Sequence, residues 1–314
     1  PMQRVVACQD YGPGPISNFV MIADRQTAAV HALYCHNYAR VYYMSSDNDG
    51  ATFCPAVEIT PSLLPYRHSY PWRVIATGPG HGIQLSKGRL VVPVWLSDGS
   101  GTEFGAGKLG HRPSSVACIY SDDGGATWQR GSFVAHHGDR AAGSGIEIVN
   151  PSETVAAELN DGRVLFNIRS ESSPNRRLVS ISPDGAHRWS RPRFDEALLE
   201  PVCMASMLAL GSGGSGPTPL LFANPDNLEN ELVPPGGNLA HDRKRLTVKM
   251  SPDEGRTWPV SRVLEPGPAG YSDLAQAADG TFFCSYECGM ITRMTDTRSI
   301  VVAHFDLDWL EQRA

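Results

Sequence analysis

The 314-residue chain is expected to be all-β, built from repeated antiparallel sheets in the manner of a solenoid or propeller. Three observations point there. Helical periodicity is almost absent, short β-branched and aromatic runs alternate with Gly-bearing turns, and one octet recurs four times. A hydrophobic share of 41% excludes a disordered chain. The 27 basic and 33 acidic side chains leave a net charge of −6 with no Lys/Arg stripe. That balance argues against nucleic-acid binding, where phosphate neutralisation dominates affinity. The longest apolar run, LVVPVWL at 90–96, is far short of the ~20 residues a membrane helix needs. No composition break divides the chain, so 1–314 reads as one domain, with GSGGSGPTP (211–219) and VPPGGN (233–238) as surface loops.

The hairpins are legible in order along the chain. GIQLSKGRLVVPVWL at 82–96, TVAAELNDGRVLFNIR at 154–169 and YSDLAQAADGTFFCSYE at 271–287 each place a Gly-bearing pair between two apolar runs: Lys87-Gly88, Asp161-Gly162 and Asp279-Gly280. Glycine supplies the positive φ that tight hairpin turns require.

The octet SDDGGATW at 121–128 returns as SPDEGRTW at 251–258, with weaker copies SDNDGATF at 46–53 and SPDGAHRW at 182–189. All fit Ser-x-Asp-x-Gly-x-Thr-aromatic, except that Asn48 holds the Asp position in one copy and Ala186 and Arg188 depart in another. Each follows a strand-like run, at intervals of roughly 60–75 residues, which suits one four-stranded blade with its loops. The octet makes physical sense as a turn. Ser and Asp side chains bond nearby backbone N–H groups, Gly takes the left-handed corner, and Trp128, Trp189 or Trp258 covers the seam to the next sheet.

Seven cysteines cannot all pair, and six read as buried strand residues. Cys284 and Cys288 lie four apart with no second pair and no nearby His, a pattern that does not make a zinc site. No metal or organic cofactor is expected.

The recurrent octet resembles the Asp-box, the hallmark of the sialidase superfamily. The runs ATGPGHGIQLSKGRLVVPVW, NPSETVAAELNDGRVLFNIRS, EPVCMASMLAL, LLFANPDN, RLTVKMSPDEGRTWPVSRVL and GPAGYSDLAQAADGTFFCSYE also resemble exo-α-sialidases, in order and over essentially the whole chain. The resemblance implies a six-bladed β-propeller, with the active site at one end of the central axis and the Asp-box turns at the other. It implies that Tyr271 is a nucleophile, Glu153 the glutamate paired with it, Arg169 and Arg243 the second and third arginines of a carboxylate-binding triad, and Glu287 the acid that steadies the triad's first arginine. Arg245 is a close rival to Arg243. Two residues of offset leave both on one strand face, and the spacing to Ser251 favours Arg243. Without the resemblance, Glu153 and Arg169 read as a surface pair at a hairpin end. Tyr271 stands at the start of a strand, and Cys203 near the rim as a spectator.

These residue types suit a sialoside. Guanidinium forks bind carboxylates in bidentate fashion. The anomeric carbon already carries a carboxylate, so a carboxylate nucleophile is repelled and a phenol is not; sialidases are an exception to the two-carboxylate rule. A glutamate can take the phenol proton as it attacks.

The pattern is incomplete. The Arg-Ile-Pro arginine that opens the triad and the aspartate that serves as general acid/base have no match, since Asp10 and Asp24 lack the motif and Asp47 and Asp49 belong to a turn. The opening PMQRVVACQDYGPG resembles the segment after a first Asp-box, so most of the first blade is expected to be absent, leaving an exposed seam. Three readings follow: a retaining exo-α-sialidase that releases terminal sialic acid from glycoconjugates, a glycan-binding propeller without turnover, or an Asp-box propeller acting on another sugar. The expected partners are sialylated glycans, with no nucleic acid and no membrane span. The resemblance favours a secreted or periplasmic setting, although the chain carries no charged-then-apolar leader.

Overall fold

A computed structural model describes residues 14–211, 216–232, 241–292 and 296–312. The opening segment with Cys8 and Asp10, residues 212–215 of the first Gly/Pro-rich stretch and VPPGGN lie outside the described residues. The chain forms two compact units. The first runs to His137 and takes in 150–153 and 182–190, and the second holds 138–149, 154–181 and the chain from 191 onward.

In the first unit, β1 (Ile16–Ala23), β2 (Val30–His36), β3 (Arg40–Ser46), β4 (Val57–Glu58), β5 (Val74–Thr77), β6 (Gly80–His81) and β7 (Ile83–Gln84) precede β8 (Leu90–Ser97) and β9 (Ser114–Ser121). The short strands β10 (Gln129–Arg130) and β11 (Ala135–His136) follow. One sheet is ordered β4-β3-β2-β1-β6, and a second β10-β9-β8-β5 with β7 and β11 attached. Every residue of β8 and β9 is buried. LVVPVWLS therefore reads as a continuous apolar run because both faces of its sheet are covered.

The second unit contains β12 (Thr154–Glu158), β13 (Val164–Ile168), β14 (Arg176–Ser182) and β15 (Arg193–Leu199), paired in that order. Its larger sheet joins β16 (Ser206–Ala209), β17 (Leu220–Pro225), β18 (Lys244–Ser251), β19 (Val260–Gln276), β20 (Phe282–Cys288) and β21 (Ser299–Phe305). The long β19 pairs with β18 along its first half and with β20 along its second. One cluster packs Val155, Leu165, Val179 and Leu198 against Met207 and Phe222. Another gathers Leu246, Val248, Leu274, Phe282, Tyr286 and Phe305 beneath Leu310 of the short helix α1 (Leu307–Glu311). Burying each such side chain contributes about 1.5–3 kcal/mol.

All three expected hairpins form, with Gly88, Gly162 and Gly280 at φ of 93°, 81° and 90°. The four octets occupy equivalent places, each turning the third strand of its sheet toward the fourth: β3 to β4, β9 to β10, β14 to β15 and β18 to β19. Ser121 Oγ accepts from Gly125 N (2.8 Å) and donates to Asp123, whose carboxylate accepts from Thr127 N (2.9 Å) and Thr127 Oγ1. Ser251, Asp253, Gly255 and Thr257 repeat this bond for bond. Asn48 keeps the pattern with an amide, accepting from Thr52 N and donating to Thr52 Oγ1. The degraded copy keeps only the part around Ser182, Asp184 and Gly185. Gly125 is required twice over, by its φ of 88° and because a Cβ there would lie 2.1 Å from Tyr43 Oη. The tryptophans reach sideways as expected: Trp128 onto Tyr43 of β3 at 5.5 Å between ring centres, and Trp258 onto Phe222 while donating to Asp195 of β15.

The cysteines are less uniform than expected. Cys54 is exposed and Cys203 sits in a turn, while Cys35, Cys118 and Cys284 are buried in strands. In the second unit, β21 ends the sheet order and shows Ile300 (69% exposed) and Val302 (63%) on one face, alongside Phe283 of β20.

Candidate functional site

Four of the five predicted site residues fall in the second unit, and Arg243 is the best placed of them. It stands just before β18, at the end of that strand away from the Ser251 octet. The residue is 4% exposed, and its guanidinium donates from Nη2 to the Val202 carbonyl at 2.8 Å and lies 5.3 Å from the centre of the Tyr271 ring. Arg245 does not share its face, contrary to the strand-parity expectation. The register between β18 and β19 shifts from Lys244 to Leu246, and Arg245 takes φ of 62°. A bulge of this kind inserts an extra residue and reverses the alternation beyond it. Arg245 is therefore exposed, in a cleft of about 380 Å³ with Glu229, Lys244, Val263 and Pro266.

Tyr271 lies well inside β19 rather than at a strand start, close to where that strand exchanges β18 for β20 as its partner. A second register shift, between Ala269 and Ser272, accompanies the exchange. Ala269 N donates to the Arg243 carbonyl, and this backbone bond brings Arg243 beside Tyr271. Arg169 follows the last residue of β13, and its Nη1 donates to Tyr271 Oη at 3.0 Å. The phenol oxygen is thus an acceptor for one guanidinium, and its ring lies near a second.

Glu287, on β20, turns its carboxylate back to accept from Tyr271 N at 2.9 Å. The space for that carboxylate exists because residue 270 is glycine: a Cβ there would stand 2.3 Å from Glu287 Oε2. Glu287 therefore fixes the backbone of the tyrosine.

Glu153 is in the first unit, immediately before β12, and at 9% exposure it is no surface residue. There the Tyr38 phenol is pushed above its usual range by burial, with the Glu153 charge adding to the shift. Asp24, also buried in the first unit, accepts from Gln26 N and Thr27 N and contacts His31. Its hydrogen bonds outweigh the burial that would raise it, so it stays well below the usual carboxylate range and serves a turn. Among the described residues no group of three His, Cys, Asp or Glu could hold a metal ion, and no helix is long and apolar enough to cross a membrane.

The turn Glu200–Cys203 is the part that sequence reasoning missed. It supplies the carbonyl that holds Arg243, and the Cys203 backbone takes part, its carbonyl accepting from Arg177 and its N–H donating to Glu200. The EPVC run marks the place, but nothing in its spacing tells which carbonyl faces Arg243.

The BNR repeat-like domain family matches residues 14–284. The sialidase of Micromonospora viridifaciens is 31% identical over 247 residues, covering 76% of this chain and 31% of that protein. Human sialidase-3 is 28% identical over 305 residues, covering 86% and 67%. Among solved structures, Hadza microbial sialidase Hz136 matches 95% of this chain and 53% of its own with a TM-score of 0.69 at 24% identity. The Trypanosoma rangeli sialidase with 2,3-difluorosialic acid matches 88% and 43% with a TM-score of 0.59 at 18% identity. The structural likeness is one of fold: all-β, resembling a propeller with four blades. The chain spans about a third of the Micromonospora sialidase and about half of Hz136. A family match over 14–284, together with the four octets and their shared turn geometry, shows that this chain belongs to the sialidase family with BNR, or Asp-box, repeats.

Proposed function

We propose that the protein is a retaining exo-α-sialidase acting on terminal sialic acids of glycoconjugates, with the six-bladed propeller that the family resemblance implies. The observation that carries the reading is the pair of guanidinium groups at Tyr271: Arg169 on its hydroxyl at 3.0 Å and Arg243 by its ring at 5.3 Å. Two cations so disposed suit the sialoside carboxylate, and a phenol between them suits attack on the adjacent anomeric carbon. Because Tyr271 Oη accepts from Arg169, its own hydrogen points to another acceptor. The family motif gives that part to Glu153. The new bond joins Oη to the anomeric carbon as the glycosidic bond breaks, and the proton passes to the glutamate carboxylate. The departing oxygen needs a proton from an acid that has no match in this sequence. Water then releases sialic acid and regenerates the phenol. Glu287 supports the arrangement by fixing the Tyr271 backbone.

An aryl sialoside tests this, because its leaving group needs little acid assistance. Cleavage by the unmodified chain that Tyr271→Phe abolishes, by roughly a thousandfold or more, is the expected outcome. Cleavage that survives the substitution overturns the assignment of the nucleophile. The missing acid and first arginine favour one other reading, a sialic-acid-binding propeller. It is supported by retained binding of free sialic acid with no aryl-sialoside cleavage.

A further inference from the structure

Arg177 and Glu200 form an ion pair in which both side chains are 0% exposed, and nothing in the proposed reaction uses either. Arg177 Nη1 donates to Glu200 Oε2 at 2.5 Å and to the Cys203 carbonyl at 3.0 Å, and Nε donates to Asn167 Oδ1 at 2.6 Å. Glu200 Oε1 in turn accepts from Cys203 N at 3.0 Å. One guanidinium thus ties both ends of the turn 200–203 to β13. Such a pair gives little net stability, since well-packed apolar residues of similar volume do as well. Its presence calls for another reason.

That reason lies between the two tied residues. Val202 has φ of 63°, a conformation strongly disfavoured for a β-branched residue, and is 3% exposed. Backbone of this kind persists only where its surroundings over-determine it. The strained residue presents the very carbonyl that accepts from Arg243 Nη2 at 2.8 Å. Arg243 Nε is buried and has no acceptor among the described residues, so the bond to the Val202 carbonyl orients the guanidinium.

We propose that Arg177 and Glu200 are positioning residues: the buried pair clamps the turn 200–203 in its strained form so that Val202 aims Arg243 at the substrate carboxylate. The claim rests on the reading of Arg243 as a carboxylate binder, and its mechanical half can be read without ligand.

Removing one partner leaves a buried charge and risks the fold, so the variant of choice is the double apolar replacement Arg177→Met/Glu200→Leu. Free N-acetylneuraminic acid serves as the probe, with isothermal titration for affinity and thermal melting for the fold. The double variant is expected to melt close to the unmodified protein and to bind about tenfold more weakly. In an Arg243→Met background the same double replacement should cause no further loss of affinity, because its effect passes through Arg243. Equal affinity in a folded double variant, or losses that multiply with Arg243→Met, overturns the proposal. Should the unmodified chain bind no sialic acid, the functional reading fails, and nitrogen-edited NMR still decides the mechanical half. A sharp Arg243 Nε–H signal that broadens in the double variant supports the clamp, and an unchanged signal overturns it.

Discussion

At one end of β18 stands the octet 251–258, held by hydrogen bonds that span two to four residues. At the other stands Arg243, held by a carbonyl 41 positions away beside a tyrosine whose hydroxyl meets a guanidinium 102 positions distant in sequence. The octet is a closed local network, so it survives wherever its few residue types recur, even with Asn48 in place of aspartate. The Arg243 end depends on a bulge, a strained turn and the pairing of a long strand with two partners. Local order and site geometry are therefore encoded at different ranges along one eight-residue strand.

The largest effects should come from testing the long-range end. Arg243→Met is expected to weaken sialic acid binding roughly a hundredfold, whereas Arg245→Met, two residues on, should leave affinity within about twofold. Titration calorimetry on the pair checks this, and equal effects would mean that the bulge does not separate their roles. The next effect breaks the local end. Gly125→Ala should lower unfolding stability by about 2–4 kcal/mol, because the new methyl meets Tyr43 in a backbone conformation that alanine dislikes. Gly162→Ala, at a similar φ but with open space around it, should cost about 1 kcal/mol. Urea unfolding of the two variants separates the packing contribution from the backbone one.

The smallest effect is a pH dependence that distinguishes the octets from one another. Bonds from Thr127 and Ser121 hold the Asp123 carboxylate below its ordinary range. At Asp253, bonds from Thr257 and Ser251 outweigh the opposing burial and do the same. A carboxylate depressed in the folded state contributes stability that is present above the unfolded value, near pH ~4, and is lost as the pH falls through the folded value. Asp123→Asn/Asp253→Asn imitates the Asn48 copy and should flatten the drop in melting temperature between pH ~5 and ~3. Asp123 is exposed and Asp253 half-buried, so solvent screens both and the change should be slight. An unaltered acid profile would show that the bonds matter only for geometry.

The same contrast explains what could be read from the sequence. The hairpins at 87–88, 161–162 and 279–280 and all four octets are local patterns, and each forms where expected. The family resemblance named Arg169, Arg243, Tyr271 and Glu287, and the fold brings these four together. Periodicity, however, placed Arg243 and Arg245 on one face, because a bulge at Arg245 leaves no mark that alternation can see. Tyr271 looked like a strand start because Gly267, Pro268 and Gly270 punctuate what is one continuous strand. The Arg177–Glu200 clamp was invisible, since an arginine in RRLVSIS and a glutamate before a proline each look ordinary until the fold brings them together.

The outward-facing Ile300 and Val302 lie on the last strand of their sheet, beside a row of backbone donors and acceptors that no described strand satisfies. Such an edge is a template on which another extended chain can crystallise its own hydrogen bonds, with the apolar side chains as adhesive. Concentrated samples should accordingly thicken into oligomers through this border first, and a lysine at position 302 would keep the molecules apart.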